Sequence, residues 1–226
     1  MTIVTYPRLM GWAGILSMAL FRLPLWWSKR YSFWKLMGSG KGQGFSKRPD
    51  WRQWALLTVE TQDNITQVSD YNKFIRFYWT LFSAKQVQLL LQPIAGHGCW
   101  DKSEIFGNLP KHTDYNGITA VLTRATIRFS QLHSFWRNVP AVSAQTALAG
   151  GLLCAYGIGE VPWIKQATFS IWTSPEAIRA FAYAGKSHAG VVAKTRRDNW
   201  YREEMYVRFK IIRAKGIHLP GVPGMA

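Results

Sequence analysis

The sequence of 226 residues is short of acid, nearly empty of cysteine and without a long uninterrupted apolar run. Cys99 and Cys154 are its only cysteines, too few for a disulfide scaffold or for a zinc site built from paired Cys-x-x-Cys motifs. Asp and Glu together number 12, which leaves little to build an acidic metal cluster. The longest uncharged apolar run, Leu9 to Phe21 between Arg8 and Arg22, has 13 residues, short of the roughly 20 that cross a bilayer. Arg8 and the small residues Ser17-Met18-Ala19 imitate a signal peptide. However, Arg8 comes late and Ile3 to Tyr6 before it reads as a strand, so the segment is taken as structural. No HExxH pair, GxSxG elbow or P-loop is present.

What is there is apolar, aromatic and basic. Residues of the apolar class make up 48% of the chain, aromatics 15%, and tryptophans alone number 12. That composition excludes disorder, and the length allows one large domain or two small fused ones with a real core. Lys and Arg number 28, giving a net charge of +16. The charge is spread rather than blocked: Arg22 to Arg52 holds eight basic residues against Asp50, and Lys194 to Lys215 holds eight against Asp198, Glu203 and Glu204. No nucleic-acid module accompanies it, so no nucleic-acid partner is expected. A basic surface suits an acidic redox protein or anionic headgroups, leaving room for peripheral contact of a cytoplasmic protein with a membrane.

Period-two alternation marks strands at Trp54 to Glu60, Gln86 to Gln92, Ala120 to Arg128, Gln166 to Trp172 and Glu204 to Ile212. Ser174-Pro175-Glu176 opens a helix, with a serine cap, a proline at the first position and an acid at the positive end. That helix runs past Phe181, breaks near Gly185 and resumes from Ser187 to Asn199. The chain also repeats itself. Trp51 to Val59 matches Trp163 to Ile171, each preceded by a glycine pair (Gly38 and Gly40; Gly157 and Gly159) and followed by a helix, a tryptophan (Trp79; Trp200) and a strand. A strand and a helix precede each glycine pair: Ile3 to Tyr6 with Leu9 to Phe21, and Ala120 to Arg128 with Phe129 to Arg137. The expected fold is α+β: two fused ferredoxin-like (βαββαβ) repeats packed as a pseudo-symmetric dimeric α+β barrel. The halves span 1–100 and 118–215, joined by a linker at 101–117 and followed by a tail at 216–226. The glycine-rich stretch Gly38 to Gly44 precedes a strand and not a helix, so it reads as a turn rather than a phosphate loop.

Five histidines are candidates for chemistry. His188 follows Ser187 and shares a helical face with Val191, Val192 and Thr195, a side expected to touch the core. Two readings are open: a buried imidazole bonded to backbone, or the single axial ligand that a haem iron requires, walled by Val191 and Val192. His133 is the alternative ligand. His97, between Gly96 and Gly98, reads as a turn, and His112 and His218 as solvated. Arg124 and Arg128 lie on one face of a strand with Thr126, either as an exposed polar face or as a pair that meets an anion.

Phe33 to Phe45, Leu122-Thr-Arg-Ala-Thr-Ile-Arg128, Gly157-Ile-Gly-Glu-Val-Pro162, Thr168 to Trp172, and Ala180 through His188 to Trp200-Tyr-Arg-Glu-Glu-Met-Tyr-Val-Arg-Phe209 resemble the spheroidene monooxygenase family. The resemblance runs from the first strand to about Ile212 and is weakest over Gln62 to Asp101. It implies a haem b monooxygenase that adds oxygen from O2 near the end of an acyclic carotenoid, giving hydroxy and then keto products, with electrons from a ferredoxin-like donor. The family's histidine falls on His188, which favours the haem-iron reading there. Its Thr-Arg-Ala-Thr-Ile-Arg strand falls on Arg124 and Arg128, expected at the haem propionates or on the oxygen side, as catalytic or cofactor-binding groups. The same architecture in other haem barrels dehydrates aldoximes or handles other small molecules, and a non-catalytic lipid- or nucleic-acid-binding module is a third reading.

Overall fold

In the computed structural model, which describes residues 1–42, 46–60, 72–184, 195 and 197–224, the sheet structure grows from strands that are buried on both faces. The chain is mixed α+β and divides into two units. One holds Met1–Ser39, Asp50–Leu91 and Ile211–Ala226; the other holds Gly40–Pro49 and Gln92–Lys210. The segment 101–117 therefore belongs to the second unit, and the run from Ile211 onward joins the first instead of closing the C-terminal half.

In the first unit Thr2, Ile3 and Val4 are all buried, as befits a short apolar run at the centre of a sheet. This strand, β1 (Thr2–Thr5), runs antiparallel to β3 (Pro49–Glu60) and to β4 (Lys85–Gly98), with Ile3 opposite both Ala55 and Val87. With β2 (Tyr31–Gly40) beyond β3, the order is β2-β3-β1-β4. The glycine pair at Gly38 and Gly40 thus lies inside a strand and not in the expected turn.

One side of this sheet carries α1 (Gly11–Leu20), α2 (Arg22–Trp27) and α3 (Lys73–Leu81), packed through Ala13, Phe21, Leu25, Ile75, Tyr78 and Trp79. Phe21 meets Tyr78 and Trp79 edge-on at 5.2 and 5.7 Å. The Tyr78 hydroxyl donates to the Ala13 carbonyl at 2.7 Å. Rings of this size stabilise by about 1.5–3 kcal/mol each when fully buried. Gly14 lets α1 sit this close, because a Cβ there would strike the Trp54 indole. Asn72 caps α3 by accepting the Phe74 N–H at 2.9 Å.

The expected helix end at Phe21 is corrected by the structure. Phe21 keeps helical angles (φ −73°, ψ −14°), and the path from Arg8 to Trp27 is continuous over 20 residues. By length and composition alone it is long and apolar enough to cross a membrane. A single arginine did not stop it, since helix interiors tolerate arginine well.

In the second unit β5 (Thr119–Ile127) is central, antiparallel to β7 (Lys165–Trp172) and β8 (Tyr201–Lys215), with β6 (Leu152–Val161) beyond β7. The order β6-β7-β5-β8 repeats that of the first unit. Gly157 and Gly159 lie within β6, again inside a strand. Leu122 stands opposite Phe169 and Val207, and all three are buried on one face. The other face meets α4 (Leu132–Ala147) and α5 (Pro175–Ala184). There Phe135, Trp136 and Val139 of α4 pack with Ile127 and Trp200. The sequence reading ended α4 at Arg137, ahead of Pro140, yet the helix passes through Pro140 to Ala147. α5 starts at Pro175 as expected, with the Ser174 hydroxyl accepting the Ala177 N–H at 3.3 Å. The paired tryptophans match in environment: Trp79 and Trp200 are buried, Trp51 and Trp163 exposed.

Candidate functional site

Strand alternation sends Val121 and Thr123 of β5 to the face that also carries Thr168, Ser170 and Trp172 of β7. Thr123 is exposed although it sits mid-strand between buried Leu122 and Arg124. The reason is a cavity of about 410 Å³ between this face and the helices α4 and α5. Phe135, Val139 and Val142 of α4 and Ile178 and Phe181 of α5 make its far wall apolar. A few polar groups interrupt it, among them Asn138, Ser143 and Thr146 along α4. Size and lining fall in the range of small-molecule and cofactor sites.

One end carries titratable groups. His97 lines the cavity from β4, with its ring 5.9 Å from that of Tyr206 and nearly parallel to it. The expected turn at Gly96-His97-Gly98 is therefore the end of a strand. Its glycines are there because β8 runs close by: a Cβ on Gly96 would lie 2.7 Å from the Tyr206 carbonyl oxygen. Burial raises the Tyr206 hydroxyl above its ordinary value and pushes Tyr201, also on the wall, up to about 12. Both phenols stay protonated as donors at neutral pH.

Arg124 forms part of the same wall, but the terminal nitrogens of its guanidinium are turned to carboxylates of its own chain. It is 1% exposed and bonds Glu203, with Glu160 at 3.5 Å and Asp101 at 3.7 Å. The guanidinium also lies over the Trp100 ring, 5.3 Å from its centroid, while the Trp100 indole N–H donates to Glu160 at 2.8 Å. Lys165 adds a second cation, 2.8 Å from Asp101. Asp101 and Lys102 take left-handed angles (φ 51° and 66°) that aim their N–H groups at Glu203, at 3.3 and 2.6 Å. Burial pushes the Glu203 carboxyl up, but the Lys102 N–H and the Arg124 guanidinium outweigh it and hold the group below the usual carboxylate value. The segment read as a linker without pattern begins as this clamp.

The expected residues therefore separate. Arg124 meets carboxylates of its own chain where an external anion was expected. Arg128 lies one residue beyond β5, exposed, and donates through Nε to the Tyr201 carbonyl at 3.2 Å without itself lining the cavity. His133 is exposed in the first turn of α4 and does not line the cavity; His112 and His218 are exposed as expected. His188, Val191 and Val192 lie outside the described residues. Thr195, assigned to the same helical face, is buried and lines the cavity. Among the described residues no three His, Cys, Asp or Glu side chains converge as a metal site. Sequence reasoning missed His97, Thr123 and Tyr206. The available signal was a lone threonine in the otherwise apolar stripe Val121, Thr123, Ala125.

An apolar cavity set between a sheet and its helices, with a few polar groups on its wall, is the form that small-molecule sites take. The chain belongs to the spheroidene monooxygenase family. It is 34% identical over 206 residues to the spheroidene monooxygenase of Rhodobacter capsulatus, covering 89% of this chain and 84% of that one. It is 34% identical over 201 residues to that of Cereibacter sphaeroides, covering 88% of this chain, and spans 62% of that relative's length. The match to the Rubrivivax gelatinosus protein is 33% over 187 residues, or 82% of this chain and 70% of the relative. No family model matches the chain. Among solved structures, a putative monooxygenase from Fusobacterium nucleatum aligns over 94% of this chain and 92% of its own at 7% identity and a TM-score of 0.41.

Proposed function

We propose that the chain is a haem-dependent monooxygenase of a lipophilic substrate, most simply an acyclic carotenoid, with the second-unit cavity as its site. Family membership is the observation that carries this reading. The cavity supports it: the far wall is apolar, and Thr195, expected from its spacing to share a helical face with His188, stands on it. His188 would then be the haem ligand, with His97 the imidazole that the described residues place on the wall. Haem iron supplies the activation of dioxygen that side chains alone do not provide. The chain's own part is to hold an apolar chain-end against helices α4 and α5, to keep water out, and to offer Tyr201 and Tyr206 as protonated donors. Arg124 acts as a positioning residue that fixes β5, and Arg128 tethers the start of β8 through Tyr201. The 28 basic against 12 acidic residues suit an acidic ferredoxin-like donor in the cytoplasm. The shared strand order of the two units supports the further reading that they are ferredoxin-like repeats.

The test is spectroscopic. Full-length protein titrated with haemin should give a Soret band at one equivalent. His188→Ala should abolish it, and His97→Ala should keep it. A chain that binds no haemin refutes the haem reading. Reconstituted protein with reductant, O2 and a panel of acyclic carotenoids should give hydroxylated, then keto products; no turnover on any of them refutes the substrate reading.

A further inference from the structure

A helix that packs on one side of a sheet normally turns a polar face to water. The helices of the first unit do not. Along the Arg8 to Trp27 path the residues Trp12, Leu16, Ala19, Leu23 and Trp26 recur at spacings of four and three, and all are exposed. The side chains of Trp26 and Trp27 are 73% and 72% exposed. Beside them α3 turns Phe74, Phe77 and Leu81 outward, and the two helices are bound together by the Tyr78–Ala13 hydrogen bond and the Trp12–Phe82 ring contact at 5.3 Å. The result is one apolar outer face, larger than scattered surface residues would make.

The charge on these helices is of one sign. Arg8, Arg22, Lys29, Lys73 and Arg76 are exposed on or next to these helices. No acidic residue precedes Asp50, and α3 contains none. We infer that this face docks the protein on the surface of an anionic lipid bilayer. Tryptophans at the polar–apolar boundary and basic residues at the headgroups are the chemistry of an interfacial helix. A second copy of the chain is a poorer occupant, because it would bring like charges together with no acid on either set of helices. Spanning the bilayer is also disfavoured. The inner side of the helix is held in the core through Ala13, Gly14, Phe21 and Leu25. The inference stands independently of haem binding and of the second-unit cavity.

The experiment is co-sedimentation of the full chain with vesicles of phosphatidylcholine alone and of phosphatidylcholine with phosphatidylglycerol at ~3:1. The protein should pellet with the mixed vesicles, far less with the neutral ones, and less as salt rises. Trp26→Glu with Trp27→Glu, and separately Phe77→Glu, should weaken binding on the order of tenfold or more. Arg8→Glu with Arg22→Glu should lose binding to the anionic vesicles only. Circular dichroism and the melting temperature should not move, since all these side chains point into solvent. Three results would each overturn the inference: no binding to either vesicle or binding that the variants leave intact; bound protein that resists alkaline carbonate extraction, which means the helix spans; or a dimer in sedimentation velocity that Phe77→Glu dissociates while vesicles are ignored, which means a second copy covers the face.

Discussion

Arg124→Met separates the two roles an arginine in this strand could have. The guanidinium is buried beneath Glu203 and Glu160, whose side chains are 17% and 12% exposed. Methionine matches much of its volume but leaves those carboxylates without their cation. Breaking a buried pair this way costs about 3–5 kcal/mol. In a chain of this length each kcal/mol moves the melting temperature by roughly 2–4 °C, so a fall of about 6–20 °C is expected at neutral pH. Asp101, at 40% exposure, adds little because solvent screens it.

The pH dependence sharpens the case. In the native protein the Glu203 carboxyl sits below its ordinary value, so its contribution is present at neutral pH and is lost as pH falls through the folded value. Without Arg124 the carboxyl loses one of the groups that hold it down and moves up from its native position, although the Lys102 N–H still opposes burial. The variant should therefore recover as protons neutralise the orphaned acids, and the stability gap should narrow between pH 7 and pH 4. Urea unfolding across that range measures it, alongside a haemin titration at pH 7. A variant within 1 kcal/mol of the parent that binds haemin poorly would refute the structural role and return Arg124 to the cofactor.

Two further outcomes follow from the same structure. Thr123→Phe places a ring in the cavity without disturbing packed atoms, so stability should change by no more than ~1 kcal/mol while ligand binding in the second unit is lost by titration. Burial pushes the Cys154 thiol up to about 11; at pH 8 roughly one molecule in a thousand carries the thiolate, so alkylation followed by peptide mapping should leave Cys154 unmodified until well above pH 9.

What the sequence made legible was whatever rests on local periodicity. β3, β4, β5, β7 and β8 alternate with period two, and each contains the strand expected for it, except that β5 stops at Ile127, one residue short of the expected Arg128. β2 and β6 were hidden because each carries a glycine pair and is half-buried on both faces, which reads as a turn. The extension of the first helix was hidden by Arg22, whose Nε simply bonds back to the Met18 carbonyl at 3.3 Å. At the site, Thr195 follows from spacing. The partners of Arg124 do not. Asp101, Glu160 and Glu203 are far apart in the chain, and the pairing of β5 with β8, of β6 with β7 and the Asp101 N–H on Glu203 gather them. His97 was masked by the glycines whose purpose is to let β8 approach it.

The charge has the same lesson in a different form. Three of the 12 acids gather around Arg124 and Lys165 in one cluster, where they stabilise a strand. The residues before Asp50 contain eight basic side chains and no acid, half of the net +16 from less than a quarter of the chain. A surplus meant only for solubility would gain nothing from that segregation, since mixed signs serve as well. A surplus meant to steer an acidic donor would not need three tryptophans exposed beside it. Charge of one sign around an exposed apolar face serves both attraction to and insertion into an anionic interface. Neutralising Arg8 and Arg22 should therefore reduce vesicle binding and its salt dependence together while leaving haemin affinity in the second unit unchanged. A parallel loss of haemin affinity would count against this division of roles.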